Sequence, residues 1–136
     1  MDETVVPEPY GRIMTWKIEL IPVPVTDVDR AKAFYEQVGF NADHDYPVQE
    51  GLRFVQLTPP GSACSIVIGE GITAKTPGTQ EIQVVVPDAE AARKQLLDAG
   101  VEASEVDVQP WGNFVYFQDP DGNKWSLQAI ASRPNG

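Results

Sequence analysis

The sequence predicts an α+β fold: two tandem βαβββ modules forming a curved eight-stranded sheet around a cleft, with the helices on its outer face. Three observations lead there. The first is an internal repeat. Shifted by 61 positions, the chain falls on itself without a gap: Ile21 on Ile82, Val25 on Val86, Asp27 on Asp88, Gly39 on Gly100, Gly61 on Gly122 and Ser65 on Ser126. A constant offset means two copies of one supersecondary unit that pack together to bury their apolar faces. The second is the order within each copy, where one extended run and one helical stripe are followed by three further extended runs. The third is arithmetic. Two helices cover only one face of eight strands, so the other face is free to curl around something small.

Positions 1–13 hold Asp2, Glu3, Pro7, Glu8 and Pro9 and little that can enter a core. They read as a flexible arm. A single domain follows over 14–130, with modules at 16–69 and 77–130, and 131–136 read as a tail. The first strand runs from about Ile18 to Val25, alternating Ile18, Leu20 and Pro22 with Glu19, Ile21 and Val23. Asp27 caps a helix that carries Asp29 in its first turn, where the dipole favours a carboxylate. Val28, Ala31, Tyr35 and Val38 form its apolar stripe, and Gly39 ends it. Strands are expected near 40–46, over Leu52–Thr58 and over Ala63–Ile68, the last two joined by the Pro59-Pro60-Gly61 turn. After the linker Gly69–Gly78 the order repeats. Gln80–Val86 is a strand, and Asp88 caps a helix with Ala89, Ala92, Leu96 and Ala99 inward. Strands follow at Val101–Val108, Asn113–Gln118 and Lys124–Ile130. Asp119-Pro120-Asp121-Gly122-Asn123 makes a tight turn, since proline presets φ and glycine or asparagine accepts φ > 0.

The bulk composition narrows the function classes. The formal net charge is −10 and the pI about 4.4, which argues against a nucleic-acid partner, whose phosphates need a basic footprint. An acidic cleft does raise the local concentration of cations. One cysteine, Cys64, excludes an internal disulfide framework and fits a reducing compartment. No run approaches the ~20 apolar residues that span a bilayer, and the N-terminus lacks the basic and apolar regions of a secretory signal. A cytoplasmic protein with no membrane partner is the expectation.

Individual side chains sort by alternation. Glu81 shares a face with Thr79 and Gln83 at period 2. It is placed to meet a ligand cation, or to act as a general base if a dry pocket raises its pKa. Trp111, between Pro110 and Gly112, offers an aromatic plane at a loop for a flat or cationic ligand. Ser126 and Gln128 share one face, as do Ser65 and Val67 on the matching strand. Phe54, Gln56 and Phe117 are further candidates to line the cleft. Trp125 and Cys64 alternate onto the core side. His44 stands between Asp43 and Asp45, but neighbours in a strand point to opposite faces, so the three read as surface residues rather than a metal cluster.

The order of these words resembles the vicinal oxygen chelate superfamily, which includes glyoxalase I, extradiol dioxygenases and the bleomycin-binding resistance proteins. The resemblance rests on Val25-Thr26-Asp27-Val28-Asp29-Arg30-Ala31 with Phe34-Tyr35 and Gly39-Phe40. It rests also on Val86-Pro87-Asp88 with Gly100-Val101, and on Pro110-Trp111-Gly112 followed by Asp119 to Gln128. It implies a U-shaped sheet in each half, a cleft between them and, in the enzymes, a divalent metal bound from the first and last strand of each repeat. Those positions here are Leu20, Ser65, Glu81 and Ser126. One carboxylate, two hydroxyls and a leucine do not make the set of three or more His, carboxylate or thiolate ligands that such an ion wants. The expectation is a binding protein with no metal and no cofactor, like the bleomycin-type proteins, holding a small organic molecule that is aromatic or cationic and antibiotic-like. Its ligand-binding residues would be Leu20, Phe54, Ser65, Glu81, Gln83, Trp111, Phe117, Ser126 and Gln128. A metal-independent lyase or isomerase with Glu81 as base is the competing reading, and a divalent-metal glyoxalase-like enzyme the third. The resemblance also implies a homodimer.

Overall fold

The structure, a computed structural model, describes residues 14–130. The expected arm at 1–13 and tail at 131–136 lie outside the described residues. In the first module, β1 (Leu20–Pro22) leads into α1 (Val28–Val38), followed by β2 (Asn41–Gln49), β3 (Leu52–Thr58) and β4 (Ser65–Glu70). The second module has the same order: β5 (Glu81–Val85), α2 (Ala89–Asp98), β6 (Asp107–Gln109), β7 (Gly112–Gln118) and β8 (Lys124–Ile130). The mixed α+β class and the eight strands are as the sequence predicts. The strands form two four-stranded sheets, ordered β1-β4-β3-β2 and β5-β8-β7-β6, one in each half as the resemblance implies, rather than one continuous eight-stranded sheet. β1 and β5 are each an edge of their own sheet. Pro22 and Pro24 give a physical reason on the β1 side, since proline has no N–H to donate to a ladder.

The helix ends follow capping chemistry. Asp27 accepts from the Arg30 N–H at 3.0 Å, and Asp88 from the Ala91 N–H at 2.9 Å. Gly39 closes α1 at φ +119°, a conformation that favours glycine. Val28, Ala31 and Tyr35 of α1 are buried, as are Ala89, Ala92 and Leu96 of α2, so both apolar stripes meet the core. An ion-pair group ties α1 to its sheet. Arg53 holds Asp45 with two hydrogen bonds, at 3.1 and 2.9 Å, and Lys32 from α1 reaches the same carboxylate at 3.0 Å. Hydrogen bonding from Arg53, with Lys32, holds the Asp45 carboxyl down at about 2.

The expected strand at Val101–Val108 shrinks to Asp107–Gln109. Ser104 explains it. Its N–H donates to the Tyr116 carbonyl, but its side-chain oxygen, not its backbone, accepts from the Tyr116 N–H, both at 2.9 Å. A serine that substitutes for its own backbone interrupts the ladder.

One hydrophobic core draws on both modules. Tyr35, fully buried, sits at the junction. Its hydroxyl donates to Asp119 at 2.7 Å and accepts from the Trp125 indole N–H at 3.0 Å. Burial, reinforced by Asp119, pushes the Tyr35 phenol pKa up. Trp125 stacks on Phe117 at 5.8 Å and meets Phe40 edge-on at 5.4 Å, which puts Trp125 in the core as expected. Asn123 donates to the Pro24 carbonyl at 2.8 Å, and the Thr26 hydroxyl to Asp121 at 2.6 Å. The β7–β8 turn is thus tied to the start of α1 in the other module. Among the described residues no helix is long and apolar enough to cross a membrane.

Candidate functional site

Each sheet has a core face and an open face, and alternation assigns the side chains. In the first sheet Val55, Leu57, Ile66 and Ile68 are buried in the core. The intervening Phe54, Gln56, Thr58 and Ser65 therefore belong to the open face. Leu20 is in register with Ser65 and joins them. In the second sheet Val115, Phe117, Trp125 and Leu127 form the core face. Phe114, Tyr116, Ser126, Gln128 and Gln83 belong to the other.

The first open face carries a directed chain of hydrogen bonds. Gln56 donates its amide to the Ser65 hydroxyl at 3.2 Å, and the Ser65 and Thr58 hydroxyls are 2.6 Å apart. Thr58 also hydrogen-bonds Asp43, which accepts from Asn41 at 2.6 Å. A carboxylate only accepts, so the single Thr58 proton goes to Asp43, and Ser65 must donate to Thr58. Hydrogen bonds from Thr58 and then Asn41 hold the Asp43 carboxyl below its ordinary value. Ser65 is 4 % exposed, accepting one hydrogen bond and donating one.

The second open face is organised around glutamines. Gln83 donates to the Gln128 carbonyl oxygen at 2.7 Å, and Gln128 donates to the Trp111 carbonyl at 3.2 Å. Gly112, at φ +155°, makes this fit, because an added Cβ would lie 3.0 Å from the Gln128 amide nitrogen. The Trp111 side chain is left 62 % exposed. Beside it, Phe114 and Tyr116 stack at 6.1 Å, and the Tyr116 hydroxyl donates to Asp107 at 2.7 Å. That hydrogen bond raises the Tyr116 pKa.

The two halves pair their strands in different registers. Leu20 is beside Ser65, so the repeat offset would put Glu81 beside Ser126. Instead Gln83 pairs with Ser126, and Glu81 with Lys124. The backbone agrees: the Ser65 N–H donates to Glu19, whereas the Lys124 N–H donates to Gln80. A slide of two residues keeps every side chain on its face, but it moves the one carboxylate along the strand and leaves an amide next to Ser126.

Of the residues expected at the site, the structure gathers Leu20, Phe54 and Ser65 on one open face and Glu81, Gln83, Ser126 and Gln128 on the other, with Trp111 at the latter's rim. Phe117 is a correction. It is 7 % exposed and packs against Trp125 in the core, because β7 puts Val115 and Phe117 inward. His44 is exposed, as a surface residue is expected to be. A register irregularity between Ala42 and His44 breaks the alternation of β2, setting His44 opposite Gln56 on the open face, where it stacks on Tyr46 at 5.4 Å. Sequence reasoning missed Asp43, Tyr46, Thr58, Phe114 and Tyr116. Alternation from Leu57 and Val115 was the available signal for Thr58, Phe114 and Tyr116; the bulge hid the other two.

A divalent metal at the superfamily's positions does not fit these side chains. Leu20 has no donor atom, Ser65 and Ser126 offer only neutral hydroxyls, and the one carboxylate, Glu81, pairs with Lys124 instead of Ser126. Among the described residues no group of three or more His, Cys, Asp or Glu is placed to hold an ion.

Known proteins resemble this arrangement closely. TnmS3, an antibiotic binding protein from Streptomyces sp. CB03234, superposes with a TM-score of 0.78 at 31 % identity, covering 88 % of this chain and all of that one. A glyoxalase/bleomycin resistance protein from the same Streptomyces superposes with a TM-score of 0.71 at 34 % identity, covering 82 % of this chain and 99 % of its own. The uncharacterized protein YetH of Bacillus subtilis (strain 168) is 29 % identical over 119 residues, which is 85 % of this chain and 99 % of that one. The family model for the glyoxalase/bleomycin resistance protein/dioxygenase superfamily matches residues 17–127. With nearly the whole described fold inside that match, the chain belongs to this superfamily.

Proposed function

We propose that this protein is a metal-free binding protein that holds a small, flat or aromatic, antibiotic-like molecule against the open faces of its sheets. The observation that carries the proposal is the composition of those faces. Where the superfamily's enzymes place metal ligands, this chain has Leu20, Ser65, Glu81 and Ser126, a set with a single carboxylate that pairs with Lys124 rather than Ser126. Beside them stand Phe54 and Trp111, planes on which a flat ligand can stack. Gln83, Ser126 and Gln128 supply hydrogen bonds that fix its orientation, which is the usual division of labour in a ligand site. The similarity to a protein named for binding an antibiotic supports the same reading. The net charge of −10 favours a cationic ligand over an anionic one. A second copy of the chain would complete the cleft. Trp16, Ile18, Val85 and Val108 are each more than 60 % exposed, a large apolar area for a chain that stays alone.

The test is titration with a panel of flat aromatic antibiotics, read by tryptophan quenching and by mass spectrometry of the recovered ligand. One antibiotic is expected to bind saturably and return unchanged, and Trp111→Ala to weaken it about tenfold, the worth of one good aromatic contact. Glu81 supports the second reading, a lyase or isomerase, because it is exposed on the open face opposite Lys124. Ligand returned with an altered structure, and turnover abolished by Glu81→Gln, would replace the binding proposal with that one.

A further inference from the structure

We propose that the chain has a second ligand site, an uncharged apolar cavity at the junction of its modules, distinct from the open faces. The repeat locates it. One side of the junction is sealed by Tyr35, Trp125, Asn123 and the Thr26–Asp121 pair, through the contacts given above. The offset of 61 residues maps these onto Leu96, Cys64, Ser62, Pro87 and Pro60. All five counterparts line one cavity of about 630 Å³. Where the first side has tyrosine and tryptophan joined by hydrogen bonds, the second has leucine and cysteine. Where the first has a threonine–aspartate hydrogen bond, the second has two prolines, which have no side chain to join. Duplicated architecture with small residues on one side leaves the space unfilled.

The volume lies within the ~300–1,000 Å³ of small-molecule sites. No Asp, Glu, Lys or Arg lines it, in a chain where 22 % of residues are charged. Ile21, Ile66, Ile82 and Val84 supply apolar wall, while Ile18, Ser65, Gln83 and Val85 mark its border with the open faces. A charged ligand would lose its hydration there without a partner. The class that fits is an uncharged, largely hydrocarbon molecule of one to three rings. Burial pushes the Cys64 thiol pKa up, which matches an apolar wall and makes Cys64 a reporter. This site stands whether or not the open faces bind an antibiotic.

N-phenyl-1-naphthylamine, uncharged and fluorescent in apolar surroundings, is the probe. Wild-type protein is expected to take up one probe per chain, and saturation to slow maleimide labelling of Cys64. Cys64→Trp restores the side chain of the sealed half and should weaken uptake by about tenfold or more; Leu96→Phe, a smaller change, should weaken it in the same direction should the tryptophan variant fail to fold. No uptake by wild type, or uptake that neither variant changes, would overturn the proposal. Loss of uptake in Trp111→Ala would assign the probe to the open face instead. Uptake that falls as protein concentration rises would mean that a second copy, not a ligand, fills the cavity.

Discussion

At the scale of single residues, the decisive fact is what stands beside Ser126. A carboxylate there could join a metal strongly or take a proton; the Gln83 amide takes no proton and offers a metal only a neutral, weaker oxygen, and its bond to Gln128 holds both amides in place. Tyr35 is the structural counterpart. Its hydroxyl bonds Asp119 and the Trp125 indole at once, fully buried. Tyr35→Phe would leave the Trp125 N–H unpaired and remove one of the hydrogen bonds to Asp119, which keeps those from Asn123. The expected cost is about 1–3 kcal/mol of stability for unpaired buried polar groups, measured by urea unfolding. A loss below a few tenths would show that the junction repacks around the missing oxygen.

At the scale of elements, the sequence was most legible where local chemistry decides. Asp27 and Asp88 cap their helices, Gly39 stops α1, and Leu52–Thr58 is the strand that alternation predicts, because caps and period-2 burial depend on neighbours in the chain. It was least legible where a strand's partner decides. The bulge at β2, the loss of strand before Asp107 and the slide of β5 along β8 all come from pairing, which alternation within one strand does not report. The slide matters most for the site, since the repeat alone pairs Glu81 with Ser126. The Asp45–Arg53–Lys32 group makes an element-scale prediction. The Asp45 carboxyl lies at about 2 in the folded protein against an ordinary 3.8, so folding favours its ionised form. The stability this contributes is complete above about pH 4 and is lost as pH falls from there towards 2. Acid titration of unfolding should therefore show a smaller decline in that window for Asp45→Asn than for the wild type. Identical curves would mean that the ion pair contributes nothing.

At the scale of the whole molecule, two halves of the same βαβββ order differ at the positions that seal their junction. Caps, turns and core match across the offset of 61 residues, whereas Tyr35 answers Leu96 and Trp125 answers Cys64. The fold class was readable from that repeat, but the absence of a ladder between β1 and β5 was not, because no local pattern shows that these two strands do not pair with each other. The edge strands β1 and β5 and the exposed Trp16, Ile18, Val85 and Val108 are the features behind the proposed dimer. Sedimentation equilibrium is expected to give twice the 14.9 kDa chain mass; a monomer at micromolar concentration would require each open face to bind alone. The central claim, that this chain binds a small molecule without a metal and without changing it, is tested most directly by native mass spectrometry of chelator-treated protein mixed with flat aromatic antibiotics. The expected complex carries an added mass equal to that of the intact antibiotic alone. A complex that forms only when a divalent metal is restored, or an added mass that differs from the antibiotic supplied, would contradict it.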